Sequence, residues 1–145
     1  MKRFVFKEAR LLALRKQELT LAELQVARAS QEVRAASATV QANLETLDEL
    51  GDHVIGGRTE GFVVMGQIAL GMRSRLEHSR QELAKREANL ADAMSLLKDA
   101  RVAMESLDTL KRLRQDQHRE AMKRRTQQEL DDVGIRKWLT EAQRD

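Results

Sequence analysis

Cysteine, proline and tyrosine are absent from this 145-residue sequence, and aromatic residues make up only 3% of it. Each absence closes off a class of protein. Without cysteine there is no disulfide framework and no thiolate metal site, so a reducing compartment poses no difficulty. Without proline the chain lacks the main interior helix breaker. Apolar residues are 41% and charged residues 34%. Such a chain cannot build a broad layered core, but it can build long helices carrying one narrow apolar stripe. No apolar run reaches the roughly 18 residues that a membrane span needs. The opening MKRFVFKEARLLALRK is not expected to act as a signal peptide, because Lys7, Glu8 and Arg10 interrupt any apolar core. The length suits one domain, residues 1–145.

Glycine is scarce and unevenly placed. Four of the seven glycines fall in GDHVIGGRTEG, residues 51–61. On either side the apolar residues keep a strict spacing. Val5, Leu12, Leu19, Val26, Val33, Val40 and Leu47 recur every seven residues before the glycines. Phe62, Ala69, Leu76, Leu83, Leu90, Leu97 and Met104 do so after them. Each ladder has a companion three residues on, including Ala22, Ala29, Ala36 and Leu50 in the first and Met65, Met72, Ala93, Ala100 and Leu107 in the second. A heptad repeat held this long predicts a left-handed supercoil of two or more helices.

The phases of the two ladders suit an antiparallel hairpin. Val5 with Leu107, Leu12 with Ala100, Leu19 with Ala93, Val40 with Met72 and Leu47 with Met65 all have residue numbers summing to 112, which centres the reversal on Gly56. This register sets small against large: Ala22 meets Leu90, Ala29 meets Leu83 and Ala36 meets Leu76. Asn43 and Ser79 are its polar exceptions, and a seam Asn commonly fixes register. Arg15 and Arg86 are long enough to reach outwards. The expected fold class is all-α: two long helices in an antiparallel coiled-coil hairpin, the C-terminal one longer and projecting past the N-terminus. Helix 1 is expected at about 3–50, the glycine-rich turn at 51–61 and helix 2 at about 62–143. The same pattern also permits a dimer of extended helices.

Charge is divided along the chain. Residues 111–125 carry seven basic groups against Asp116 and Glu120, and residues 1–20 carry six against two acids. Residues 41–60 carry five acids and Arg58. The hairpin therefore has a basic pole and an acidic pole. Solvated helix faces would account for this, as would two different partners. Nucleic acid suits a basic pole, but no aromatics interleave the basic run for stacking and the formal net charge is only +3. Arg112, Arg114, Arg119, Lys123, Arg124 and Arg125 are spread around the projecting helix, which points to a partner that encloses it. Gly134 is expected to weaken or kink the last turns, and Ile135, Trp138 and Leu139 form a small apolar patch beyond it. Near the turn, Leu44, Val63, Val64, Ile68 and Leu70 lie off the ladders, and Leu44 and Ile68 are the candidates for a second partner surface.

No catalytic, cofactor or metal site is expected. His53, His78 and His118 share no metal-ligand spacing, HExxH is absent, and no GxxxxGK[ST] pattern occurs. Carboxylate pairs sit on exposed helix faces, with no pocket to perturb them. The methionines at 65, 72 and 104 read as seam fillers.

The ends carry a family resemblance. FVFKEARLLALRKQELTLAEL, residues 4–24, resembles the opening of the flagellar export protein family FliJ, and REAMKRRTQQELDDVGIRKW, residues 119–138, resembles its closing stretch. The length and two-helix layout agree over the whole chain, with Gly134 and the glycines at 61, 66 and 71 as departures. The resemblance implies a cytoplasmic protein at the flagellar base, peripheral to the inner membrane. It would act as a non-catalytic stalk of the type III export apparatus, similar to the central coiled coil of rotary ATPases, and serve motility. Implied partners are the hexameric export ATPase, the membrane export gate and export chaperones, with no small-molecule ligand. On that reading the six cations named above meet the ATPase ring, and Leu44 and Ile68 meet the gate. The alternatives are a structural coiled-coil subunit of another secretion or peripheral-stalk system, or a basic nucleic-acid-binding rod.

Overall fold

The computed structural model describes residues 2–54 and 61–144. It has two elements: helix α1, Ala9–Val54, of 46 residues, and helix α2, Gly61–Ala142, of 82 residues. Strands are absent among the described residues. The boundaries differ from those read in the sequence. Helix α1 starts at Ala9 rather than about residue 3, and it continues through Gly51 to Val54. The expected reversal at Gly56 lies outside the described residues. Gly134 neither ends nor interrupts α2.

The chain forms two compact units, residues 1–16 with 102–145, and residues 17–101. In each, rising numbers on α1 meet falling numbers on α2, so the helices pack antiparallel. In the second unit Glu32 pairs with Arg86 and Asn43 with Ser79. In the first, Phe4 meets His118 and Glu8 meets Arg114.

The heptad ladders are the seam. Leu12 and Leu76 are buried, while Leu19, Val26, Val33, Val40 and Leu47 on α1 are half-buried, as are Ala69, Leu83, Leu90, Leu97 and Met104 on α2. The companion positions Ala22, Ala29 and Ala93 are each less than 10% exposed. The ladders fail at their outer ends, where Val5 is 75% exposed and Phe62 50%.

The register also differs from the expected one. Asn43 and Ser79 sum to 122, not 112. Ala36 and Arg86 line one groove, and Leu50 and Met72 line another, both with the same sum. Leu47 therefore faces the stretch of α2 near residue 75. That is ten residues from Met65, or about 15 Å at 1.5 Å per residue. In the first unit Glu8 with Arg114 likewise places Leu12 against α2 near residue 110 rather than at Ala100. The observed register brings Ala29 opposite Ala93 and Ala22 opposite Ala100, small against small rather than small against large. A methyl group is short, so burying Ala22, Ala29 and Ala93 this deeply needs the two backbones close together. The slip of ten residues, a heptad plus three, keeps the same apolar faces together but sets the alanine positions against one another, and the Asn43–Ser79 pair fixes it.

Helix α1 starts late because the chain before it has a better use. Residues 2–6 are non-helical, and the backbone amide of Ala9 donates to the carbonyl of Phe6 at 3.2 Å as the helix begins. A helix continued back to residue 3 would seat Val5 in the seam. Instead Phe6 is 7% exposed and Val5 lies outside. Phe buries the larger apolar surface, so this exchange is favourable.

Candidate functional site: the basic end of α2 and its N-terminal strap

Residues 2–8 form a strap along α2. Phe4 packs its ring against His118, with centroids 5.6 Å apart and planes tilted by 45°. The Arg114 guanidinium lies 6.0 Å from the Phe6 ring centroid. Arg114 Nη1 donates to both Glu8 carboxylate oxygens at 2.6 Å. This hydrogen bond holds the Glu8 carboxyl below the usual carboxylate range, against the opposing effect of partial burial. Lys2 completes the strap beside Met122 and Thr126.

The six cations read from the sequence therefore do different things. Arg114 is half-buried and committed to Glu8 and Phe6. Arg112 pairs with Asp108 at 3.0 Å, Arg119 with Asp116 at 3.6 Å, Lys123 with Glu120 at 3.0 Å and Arg125 with Glu129 at 3.1 Å, each pair within α2. These four side chains are well exposed, and such pairs contribute little to stability. Arg124 is exposed, and its charge joins Lys123 in lowering the pKa of Glu120, the Lys123 hydrogen bond being the larger cause. From Lys123 to Arg144 every residue is exposed. At 100° per residue, Ile135, Trp138 and Leu139 fall within about 100° of arc, while Leu130 and Val133 point elsewhere.

The sequence alone did not reveal the strap. Its signal was the aromatic pair Phe4 and Phe6 in a chain with three phenylalanines, beside a single acid, Glu8, among basic neighbours. The heptad phase of Val5 masked it.

Leu44 and Ile68 are not brought together. Leu44 is half-buried on α1, and Ile68 is 42% exposed on α2. With Asn43 on Ser79, Leu44 faces α2 near residue 78, about 15 Å along the helix from Ile68. Ile68 instead belongs to an exposed apolar set at the start of α2 with Phe62, Val63, Val64 and Leu70. Residues 61–72 include no charged side chain.

A shallow groove of about 420 Å³ also lies on the second unit. Ala35, Ala36, Thr39 and Asn43 line it from α1, and Arg75, His78 and Arg86 are among its α2 residues. Among the described residues, no group of three or more His, Asp or Glu is placed to hold a metal ion, and no helix is long and apolar enough to cross a membrane.

The family model described as flagellar FliJ protein matches residues 9–143, nearly the whole chain and both helices. Among curated proteins and solved structures, none matches. Two antiparallel helices with a heptad seam, matched along their length by that model, make this a flagellar, export-associated coiled-coil protein: the chain belongs to the FliJ family.

Proposed function

We propose that this FliJ-family chain is the non-catalytic stalk of the flagellar type III export apparatus, joining the export ATPase ring to the membrane export gate and assisting export chaperones. The observation that carries this reading is the end of α2. From Lys123 onward α2 is exposed on every side, and the cations between Arg112 and Arg125 are spread around its circumference. A ring that encloses a helix needs that arrangement; a partner packing on one face does not. Arg112, Arg119, Lys123, Arg124 and Arg125 are the contacts assigned to the ring. Arg114 supports the same surface from within by holding the strap. Leu44 and Ile68 are assigned to the gate, as separate contacts.

The test is reversal of Arg119, Lys123 and Arg124 to Glu. Circular dichroism should show unchanged helicity. Binding to the export ATPase, and stimulation of its hydrolysis, should weaken, with a steep dependence on ionic strength. Unchanged stimulation at low salt would remove these residues from the site. Salt-dependent retention of DNA or RNA, with no effect on the ATPase, would favour a nucleic-acid-binding rod.

A further inference from the structure

The strap brings a cation from one end of the chain into a cleft on the other helix. Lys2, His118, Arg119, Met122, Lys123 and Gln127 are among the residues lining a cleft of about 500 Å³. Among the described residues, no carboxylate lines it. The other side of Lys2 differs, because the cleft there is lined by both Arg125 and Glu129, which pair at 3.1 Å. On the first flank the acids that pair with Arg119 and Lys123, Asp116 and Glu120, stand outside the cleft lining, whereas on the other Glu129 is part of it.

We propose that this flank is a receiving site for an acidic protein segment, with Lys2, Arg119 and Lys123 binding its carboxylates and Met122 and His118 forming the floor. The inference rests on the reading of this end of α2 as the partner-facing one, and it adds the chemistry of what is received and a residue, Lys2, from outside the helix. Three observations support it. Arg119 and Lys123 already hold carboxylates of their own helix, Asp116 at 3.6 Å and Glu120 at 3.0 Å. These are exposed pairs that a partner's carboxylates can replace at small cost. The strap itself is anchored by Phe6, by Arg114 on Glu8 and by Phe4 on His118. Lys2 is therefore held over the cleft at reduced entropic cost to binding. Finally, Phe4 and Phe6 are occupied by these contacts, so the strap offers no free ring on which a base could stack. That favours carboxylates over nucleic-acid phosphates.

The experiment uses the full chain and a fluorescent polyglutamate of about 20 residues, read by anisotropy at low salt. Replacing Lys2 and Lys123 by Ser should weaken binding by about tenfold, and Lys2→Arg should preserve it. The His118 imidazole resonances should shift on titration. The matched control, Arg136→Ser with Lys137→Ser, removes the same charge outside the cleft and should change binding by less than about twofold. Equal weakening in the control would show diffuse attraction and overturn the site. Tighter binding of a 20-nucleotide single strand than of polyglutamate would overturn the choice of ligand. The ATPase assay separates the two readings. If polyglutamate occupies the cleft but the chain does not stimulate the ATPase, the cleft stands and the ring assignment falls. If Lys2→Ser with Lys123→Ser binds polyglutamate as the unaltered chain does while the unaltered chain stimulates the ATPase, the cleft falls and the stalk reading stands.

Discussion

Asn43 donates a hydrogen bond across the helix pair to Ser79, 3.1 Å from Nδ2 to Oγ, and Ser79 donates in turn to the carbonyl of Leu76 at 2.8 Å. The serine is 7% exposed. Two polar side chains in an apolar seam thus satisfy one another, and any slip would separate them. A seven-residue slip, harmless to the apolar ladder, would leave a buried Ser hydroxyl and a half-buried Asn without each other.

The register can be trapped covalently. Leu50→Cys with Met72→Cys should form a disulfide within one chain at dilute protein, since these residues line the same cleft. Leu47→Cys with Met65→Cys should not, because an offset of about 15 Å far exceeds the Cα separation a disulfide allows. Mass spectrometry under non-reducing conditions distinguishes the two. A Leu47–Met65 crosslink in preference to the other would overturn the register.

How far the sequence leads is clearest at these same positions. The heptads of Leu12 to Leu47 and Ala69 to Met104 specify which faces meet, and the structure buries or half-buries all of them. They do not specify the slip, because the same apolar faces meet in the expected register and in the observed one, ten residues away. Matching Asn43 to Ser79 would have given the register from sequence, since a buried polar group has a stronger preference for its partner than a leucine does. The strap was harder to see. Phe6, Arg114 and Glu8 belong to segments more than 100 residues apart, and local pattern says nothing about such contacts. The basic character of residues 111–125 was plain, but the sequence did not show that Arg114 is spent internally.

The strap should detach on its own. Phe6→Ala removes a buried ring worth about 1.5–3 kcal/mol. It should free residues 2–8 while leaving the far-ultraviolet spectrum nearly unchanged. Nuclear magnetic resonance of His118 would report the loss of Phe4. Acid should do the same to the unaltered chain. The Glu8 carboxyl titrates below its ordinary value because Arg114 binds its charged form. Its contribution is therefore fully present above the ordinary carboxylate range and is lost as pH falls through the lowered value. Glu8→Gln should abolish this acid dependence. An unshifted His118 signal in both variants would remove Arg114 and Phe6 as anchors.

Gly134 lies in unbroken helix, with open space where a Cβ would stand. Gly134→Ala should stabilise the local helix by about 0.5–1 kcal/mol. Amide exchange over residues 130–142 should slow accordingly. Faster exchange would show that the glycine performs a task alanine cannot.

For the gate, Ile68→Ala and Leu44→Ala are expected to act independently, since Leu44 on α1 faces a point on α2 about 15 Å from Ile68. Ile68→Ala should weaken gate binding and motility while leaving ATPase stimulation and thermal stability unchanged. Leu44→Ala, at a half-buried position, should also lower the melting temperature by a few degrees. Normal swimming by the Ile68 variant would place the gate contact elsewhere.

The seam of small residues has a calorimetric consequence. Among the described residues, half of the six buried apolar side chains are alanines. Melting therefore uncovers little hydrocarbon. Its heat-capacity increment should fall well below the roughly 12–15 cal/mol/K per residue of globular domains. A small increment flattens the dependence of stability on temperature. The helix pair should resist cold better than a layered protein of its length, and on heating it should melt over a broad interval.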